Sequence, residues 1–176
     1  MADVNGARGA SPEGGASLVF DTLERQPRHA ERVTRWWYDE WGHESAELTF
    51  DALLERTRRE LRGVLPVTVL AFDGADPGGP PLGVAELKAH ELVHRYPERT
   101  PWLGGVYVDA PQRGRGIAGA LVREVERIAR EAGFRRLHLN TEAPDGGLYA
   151  RLGWQPGERI EAHGLATLLM TRTLQT

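Results

Sequence analysis

The stretch VYVDAPQRGRGIAGALVREVERIAREAG, Val106 to Gly133, decides how the rest of the chain is read. It opens with strand character, turns through a bend holding Gly114, Gly116 and two arginines, and continues as a long amphipathic segment. Ile117, Leu121, Val125, Ile128 and Ala132 recur at the helical repeat, Glu126 and Arg130 stand four apart as an expected ion pair, and Gly133 falls where a helix cap belongs. Glycines at 114 and 116 let the backbone turn so that several N–H groups converge at the positive end of that helix, a place suited to a pyrophosphate. Immediately downstream, RRLHLNT (Arg135 to Thr141) reads as a strand. Val106 to Thr141 is therefore expected to form a parallel strand–helix–strand crossover.

Working outward, SLVFDTL (Ser17 to Leu23) is a strand candidate, and Pro27 suits the first turn of a helix that carries Ala30, Val33, Trp37 and Trp41 to a stop at Gly42. A second helix, with Phe50, Leu53, Leu54, Thr57 and Leu61 on one side, ends at Gly63. PVTVLAF (Pro66 to Phe72), the segment from Leu82, and WLGGVYVD are strands, with DGADPGGPP between the first two as a turn. After the crossover come a short helix in GGLYARLG and two strands around RIEAHG and ATLLMTRTL. The expectation is one α/β (α+β) domain over residues 18–176. Its central sheet is mixed and mostly antiparallel, with one parallel crossover and helices on both faces. Residues 1–17, rich in Gly, Ala, Ser and charge, are expected to be a disordered tail.

Composition narrows the function classes. A formal net charge of -3 offers no overall positive field for nucleic acid or an anionic membrane surface. No apolar run approaches the ~20 residues of a membrane span, and the N-terminus lacks the apolar core of a signal peptide, so a cytoplasmic location is expected. With no cysteine there is no thiolate metal site and no cysteinyl acyl-enzyme.

Two short motifs compete for the same region. His90-Glu91-Leu92-Val93-His94 matches H-E-x-x-H, which needs both histidines on one side of a continuous helix and a third ligand. Pro97 ends that segment at once, and no downstream acidic ligand is evident, so no metal is expected. Gly114 to Gly119 matches G-x-G-x-x-G, yet Ala110 to Arg113 separate the first glycine from the strand, and too little chain remains for a doubly wound sheet. What both nucleotide motifs share, an amide-lined anion site, survives.

On Arg113-Gly114-Arg115-Gly116-Ile117-Ala118, and on Tyr149 in LYARLGW, the chain resembles the GNAT superfamily of N-acetyltransferases, whose hallmarks are a [QR]-x-x-G-x-[GA] loop and a tyrosine on the short helix after the fifth strand. The resemblance runs from about residue 18 to 174. It implies an enzyme that uses acetyl-coenzyme A as acyl donor, with the cofactor's pantetheine arm added to the free edge of the fourth strand near Val106 and Val108. Its pyrophosphate would rest on the amides of Arg113, Gly114, Arg115, Gly116, Ile117 and Ala118, with Gly119 permitting close approach. A backbone N–H around Val108 would polarise the thioester carbonyl, and Tyr149 would give a proton to the leaving thiolate. Many members carry asparagine where this chain has Glu142; Asn140, on the strand, is the cofactor contact expected instead.

For the acceptor side, Glu86 and Glu91 are candidates for the base, with His90 third. Trp36 and Glu40 on the first helix are expected to contact substrate, while Trp37 and Trp41 are expected to be core. The acceptor is expected to be a primary amine on a small polar or cationic molecule, such as an aminoglycoside-like antibiotic or a polyamine, acetylated in a ternary complex. A peptide or protein amine, or a non-catalytic coenzyme A sensor, are the alternatives. A homodimer stays open.

Overall fold

The computed structural model describes residues 17–42, 47–61, 63–162 and 164–175; the expected tail, apart from Ser17, lies outside the described residues. Seven strands form one sheet: β1 (Leu18–Thr22), β2 (Val67–Asp73), β3 (Gly83–Lys88), β4 (Trp102–Val108), β5 (Arg136–Thr141), β6 (Gln155–Ala162) and β7 (Leu165–Thr173). Their order across the sheet is β1-β2-β3-β4-β5-β7-β6, with every neighbouring pair antiparallel except β4 and β5. Among the described residues four α-helices accompany them: α1 (Ala30–Trp41), α2 (Phe50–Glu60), α3 (Ile117–Glu131) and α4 (Gly147–Arg151).

The two-residue period of a strand sorts side chains onto the two faces. In β2, Val69 and Ala71 join a core with Leu121, Val122 and Val125 of α3, whereas Leu70 and Phe72 join a second core with Val33, Trp36 and Trp37 of α1 and Leu53 of α2. Helices thus cover both faces, as the alternation in the sequence predicts. Each fully buried Leu or Val contributes on the order of 1.5–3 kcal/mol, and Leu70, Leu121, Val122 and Val125 are all 0% exposed.

Glycines close two helices. The amide of Gly133 (φ +87°) donates to the Arg130 carbonyl at 2.9 Å and that of Phe134 to the Ala129 carbonyl at 3.0 Å, a Schellman cap on α3. Gly153 (φ +84°) does the same for α4, with the Trp154 amide reaching the Tyr149 carbonyl at 3.0 Å. Gly42 is different: its φ of −60° is helical, so α1 stops there without a left-handed turn.

One expectation, an ion pair, is corrected. Glu126 does not pair with Arg130. It is buried, accepts from Trp154 Nε1 at 2.9 Å and lies 3.6 Å from Arg172, while Arg127 takes the surface ion pairs with Glu124 and Glu131. The reason is angular: 126 follows 122 by one helical turn and so lies on the covered face. The H-E-x-x-H segment is no helix, since His90 to His94 run through bends and turns with Leu92 at φ +51°, which removes the shared helical face that a zinc pair requires. Finally, the β3 strand ends at Lys88, so His90 lies beyond it.

Candidate active site

Strands β4 and β5 meet at one register pair, Trp102 with His138, where the His138 amide also donates to the Pro101 carbonyl at 3.1 Å. Past that point they diverge, and the β5-facing edge of β4 is left without a strand partner among the described residues. The amide of Asp109 donates to the Leu82 carbonyl, toward the β3 side. By strand alternation the N–H and C=O of Val108 point the other way, into the gap. The Val108 carbonyl there accepts from Arg113 Nε at 3.1 Å.

Halfway along β4 a bulge sets two residues against one on β3, between Val84 and Glu86. Gly105 sits in it with φ +57°, and the indole N–H of Trp37 donates to the Gly105 carbonyl at 2.9 Å. A β-carbon at 105 would lie 3.0 Å from that nitrogen, so backbone conformation and packing both call for glycine.

At the outer end of β4, Gly114 and Gly116 take φ of +78° and +76°, turning the chain into α3. None of the hydrogen bonds among the described residues uses the amides of Gly114 to Gly119. Six unspent donors at the positive end of a 15-residue helix make an anion cradle. Arg113 lies over the Tyr107 ring, 5.3 Å from its centroid, and Arg115 bonds to Gln112 and lies 4.0 Å from Asp73.

A cleft of about 720 Å³ opens from the β4–β5 gap toward α1 and α2. Glu40, Glu86, Glu91, Val106, Asn140 and Tyr149 line it together, so the structure gathers these predicted site residues in one place. Burial raises the Tyr149 hydroxyl to about 12, with the charge of Glu91 adding to it. Burial likewise pushes the Glu86 carboxyl above its usual value, against the opposing pull of Lys88 and a hydrogen bond from the Thr68 hydroxyl at 3.1 Å. Glu91 pairs with Lys88 at 2.9 Å. Asn140 keeps its Oδ1 buried with no hydrogen-bond partner.

Two predicted substrate contacts lie elsewhere. Trp36 is 8% exposed and stacks on Tyr107 with centroids 5.4 Å apart, inside the α1 core and away from the cleft; His90 is exposed and does not line the cleft. Trp37 and Trp41 do pack in the core as expected, Trp37 buried within it and Trp41 partly buried against it, and both also line the cleft. Residues 100° apart on a helix that lies flat on a sheet can both be covered, and here both indoles meet β4, Trp36 by stacking on Tyr107 and Trp37 by donating to the Gly105 carbonyl. Lys88, Arg56 and Glu142 also line the cleft, and the sequence reading assigned them no part in it. For Lys88 a signal was available: it shares the i, i+2 face of Glu86 on β3.

The loop after β3 is fastened to the far strand pair. Tyr96 is buried with Trp102, Ile160 and Leu169, Arg99 lies over the Tyr96 ring at 4.0 Å, and Arg99 bonds to Glu158 at 3.2 Å. That anchoring holds Glu91 and Leu92 at the cleft rim.

Comparison with known proteins agrees with this geometry. The model of the acetyltransferase (GNAT) family matches residues 30–154. N-alpha-acetyltransferase 80 of Mus musculus is 48% identical over 61 residues, which are 35% of this chain and 18% of that protein, so the chain spans less than a fifth of the length of this relative. An aminoglycoside 6'-N-acetyltransferase complexed with coenzyme A shares the fold with a TM-score of 0.70 at 14% identity, over 90% of this chain and 98% of that one. An N-acetyltransferase from Staphylococcus aureus Mu50 does so with a TM-score of 0.68 at 17% identity, over 90% and 99%. With the family model spanning most of its length and the loop, splayed strands and tyrosine all in place, the chain belongs to the GNAT family of acetyltransferases, whose acyl donor is acetyl-coenzyme A.

Proposed function

We propose that this enzyme acetylates a primary amine on a small, polar, cationic molecule, an aminoglycoside-like compound or a polyamine, by direct transfer between the two bound partners. The observation that carries this reading is the charge of the cleft. Glu40, Glu86, Glu91 and Glu142 face Lys88 and Arg56 there, between the indoles of Trp37 and Trp41. An ammonium group is attracted both by the carboxylates and by the ring faces. A chain without cysteine has no thiol to carry the acetyl group, which favours direct transfer.

The residues present fit the donor. Gly114 to Gly119 offer unspent amides for a pyrophosphate, and Val108 directs its backbone groups into the gap where an extended arm would add to β4. A β-carbon at Gly119 would meet nothing closer than 3.7 Å, so packing within the protein does not demand glycine there; its bareness leaves room for a ligand. Asn140 lines the same cleft and carries a buried Oδ1 with no hydrogen-bond partner, an acceptor still to be satisfied. When bound, the thioester supplies an activated acetyl group. Toward it the Val108 N–H is the donor placed to stabilise developing negative charge. Tyr149, protonated throughout the neutral range, is the proton donor to the leaving sulfur. Glu86, with its raised proton affinity, is the base that relieves the acceptor ammonium of its proton, directly or through water.

The test is a panel of aminoglycosides, polyamines and peptides incubated with acetyl-coenzyme A, with free thiol followed. Turnover on the small cations and not on peptides is the expected outcome; turnover on peptides alone would overturn it. The 61-residue match to N-alpha-acetyltransferase 80 favours a second reading, transfer to the α-amino group of a peptide, which the same panel separates. Tight coenzyme A binding with no turnover on any amine would point to a sensor instead.

A further inference from the structure

Of the 22 lysines and arginines in this chain, Lys88 alone is a lysine. The distinction is chemical. A guanidinium stays protonated and does not attack a thioester, whereas a lysine that loses its proton is a nucleophile. The sequence therefore holds one side chain able to take an acetyl group as an ordinary amine acceptor does, and that side chain lines the acceptor cleft.

Its position is fixed by β3 and β4. Lys88 is paired with Trp102 in the β3–β4 ladder, and its side chain lies across Gly104 of β4: a β-carbon placed on Gly104 would be 2.7 Å from Lys88 Cε and 2.8 Å from Nζ. The ammonium rests 2.9 Å from Glu91 Oε2. Glu86 on its own strand, Glu91 on the following loop and Arg56 of α2 are the charged groups that face it.

We infer that Lys88 is a latent internal acceptor, an amine inside the cleft that Glu91 holds in its ammonium form and thereby keeps from taking the acetyl group meant for the substrate. The inference rests on the acetyl-transfer reading of the cleft given above. Burial by itself would lower the Lys88 pKa, but the carboxylates of Glu91 and Glu86 outweigh it and leave the group above its usual value. Removing the Glu91 charge reverses that balance, leaving burial opposed by Glu86 alone. In the resulting reaction the thioester C–S bond breaks as a C–Nζ bond forms. The Lys88 ammonium gives up two protons, one ending on the released thiol and one passing through Glu86 to solvent. The product is a neutral amide in the cleft, so a variant that acetylates itself also blocks its own acceptor site.

The experiment compares the wild-type protein with Glu91→Gln and Glu91→Ala after incubation with acetyl-coenzyme A and no added amine. Peptide mapping by mass spectrometry follows acetylation at residue 88. Arg130→Lys, on the exposed side of α3, is built into every protein as an internal reference for uncatalysed acetylation. Lys88 is expected to be acetylated no faster than the reference lysine in the Glu91-intact protein, and on the order of tenfold faster than that in both Glu91 variants. Adding Lys88→Arg should abolish the mark, and adding Tyr149→Phe should slow it. If the wild-type protein acetylates external amines but neither Glu91 variant marks Lys88 above the reference, or if the Glu91-intact protein marks it equally fast, the inference falls and the acetyltransferase reading stands. If the wild-type protein transfers acetyl to no amine, both fall.

Discussion

Burial that pushes the Tyr149 hydroxyl up to about 12 keeps its proton in place through the neutral range, which suits the role of proton donor proposed for it. Tyr149→Phe, which keeps the ring against Trp154, is expected to lower kcat on the order of 100-fold and to leave coenzyme A affinity, measured by calorimetry, unchanged. Glu86 presents the opposite case. Its carboxyl has a higher pKa folded than unfolded, so the native state binds more protons. The stability it contributes is full below the unfolded value of 4.5 and falls as pH rises through the folded one. Glu86→Gln should accordingly raise the melting temperature at pH 7, while kcat drops on the order of 100-fold and the acid limb of the kcat/KM profile disappears. The anion loop and Tyr149 were legible in the sequence because their chemistry is local, a glycine pattern and a hydroxyl at a fixed offset. The burial of Trp36 was not: it packs on Tyr107, a partner 71 residues away in the chain that no local pattern reveals.

At the scale of elements, the bend into α3 joins conformation to binding. Gly116→Ala meets no atom within 4 Å, so any cost comes from φ of +76° alone, about 1–2 kcal/mol. The expected result is a modest fall in the urea midpoint with a disproportionate loss of coenzyme A affinity, because the amides on either side must turn away to relieve the strain. A loss of stability with affinity intact would show that the loop binds nothing. Helix α3 also illustrates how far periodicity reaches. Its apolar stripe and its Gly133 cap follow from spacing, yet Glu126 was read as a surface partner of Arg130, since a carboxylate in a helix suggests solvent. Its place one turn after Val122 was the signal available for burial.

Across the whole molecule, Glu126 ties together three elements far apart in sequence: α3, Trp154 after α4, and Arg172 of β7. Glu126→Ala leaves the buried indole N–H unsatisfied and Arg172 without its carboxylate, and should cost about 1–3 kcal/mol by urea denaturation, with Glu126→Gln costing less. Element order and the one parallel crossover were accessible from spacing and turn residues, and the place of the cleft beside the free edge of β4 only from the resemblance, because it is made by β4 parting from β5 rather than by any one segment. That parting has a mechanical meaning. The sheet consists of two antiparallel halves touching at a single rung, Trp102 with His138, so the seam with the fewest ladder bonds is also the place proposed for the donor. Occupancy then acts as mortar, and resistance to heat becomes a direct gauge of whether the donor is in place.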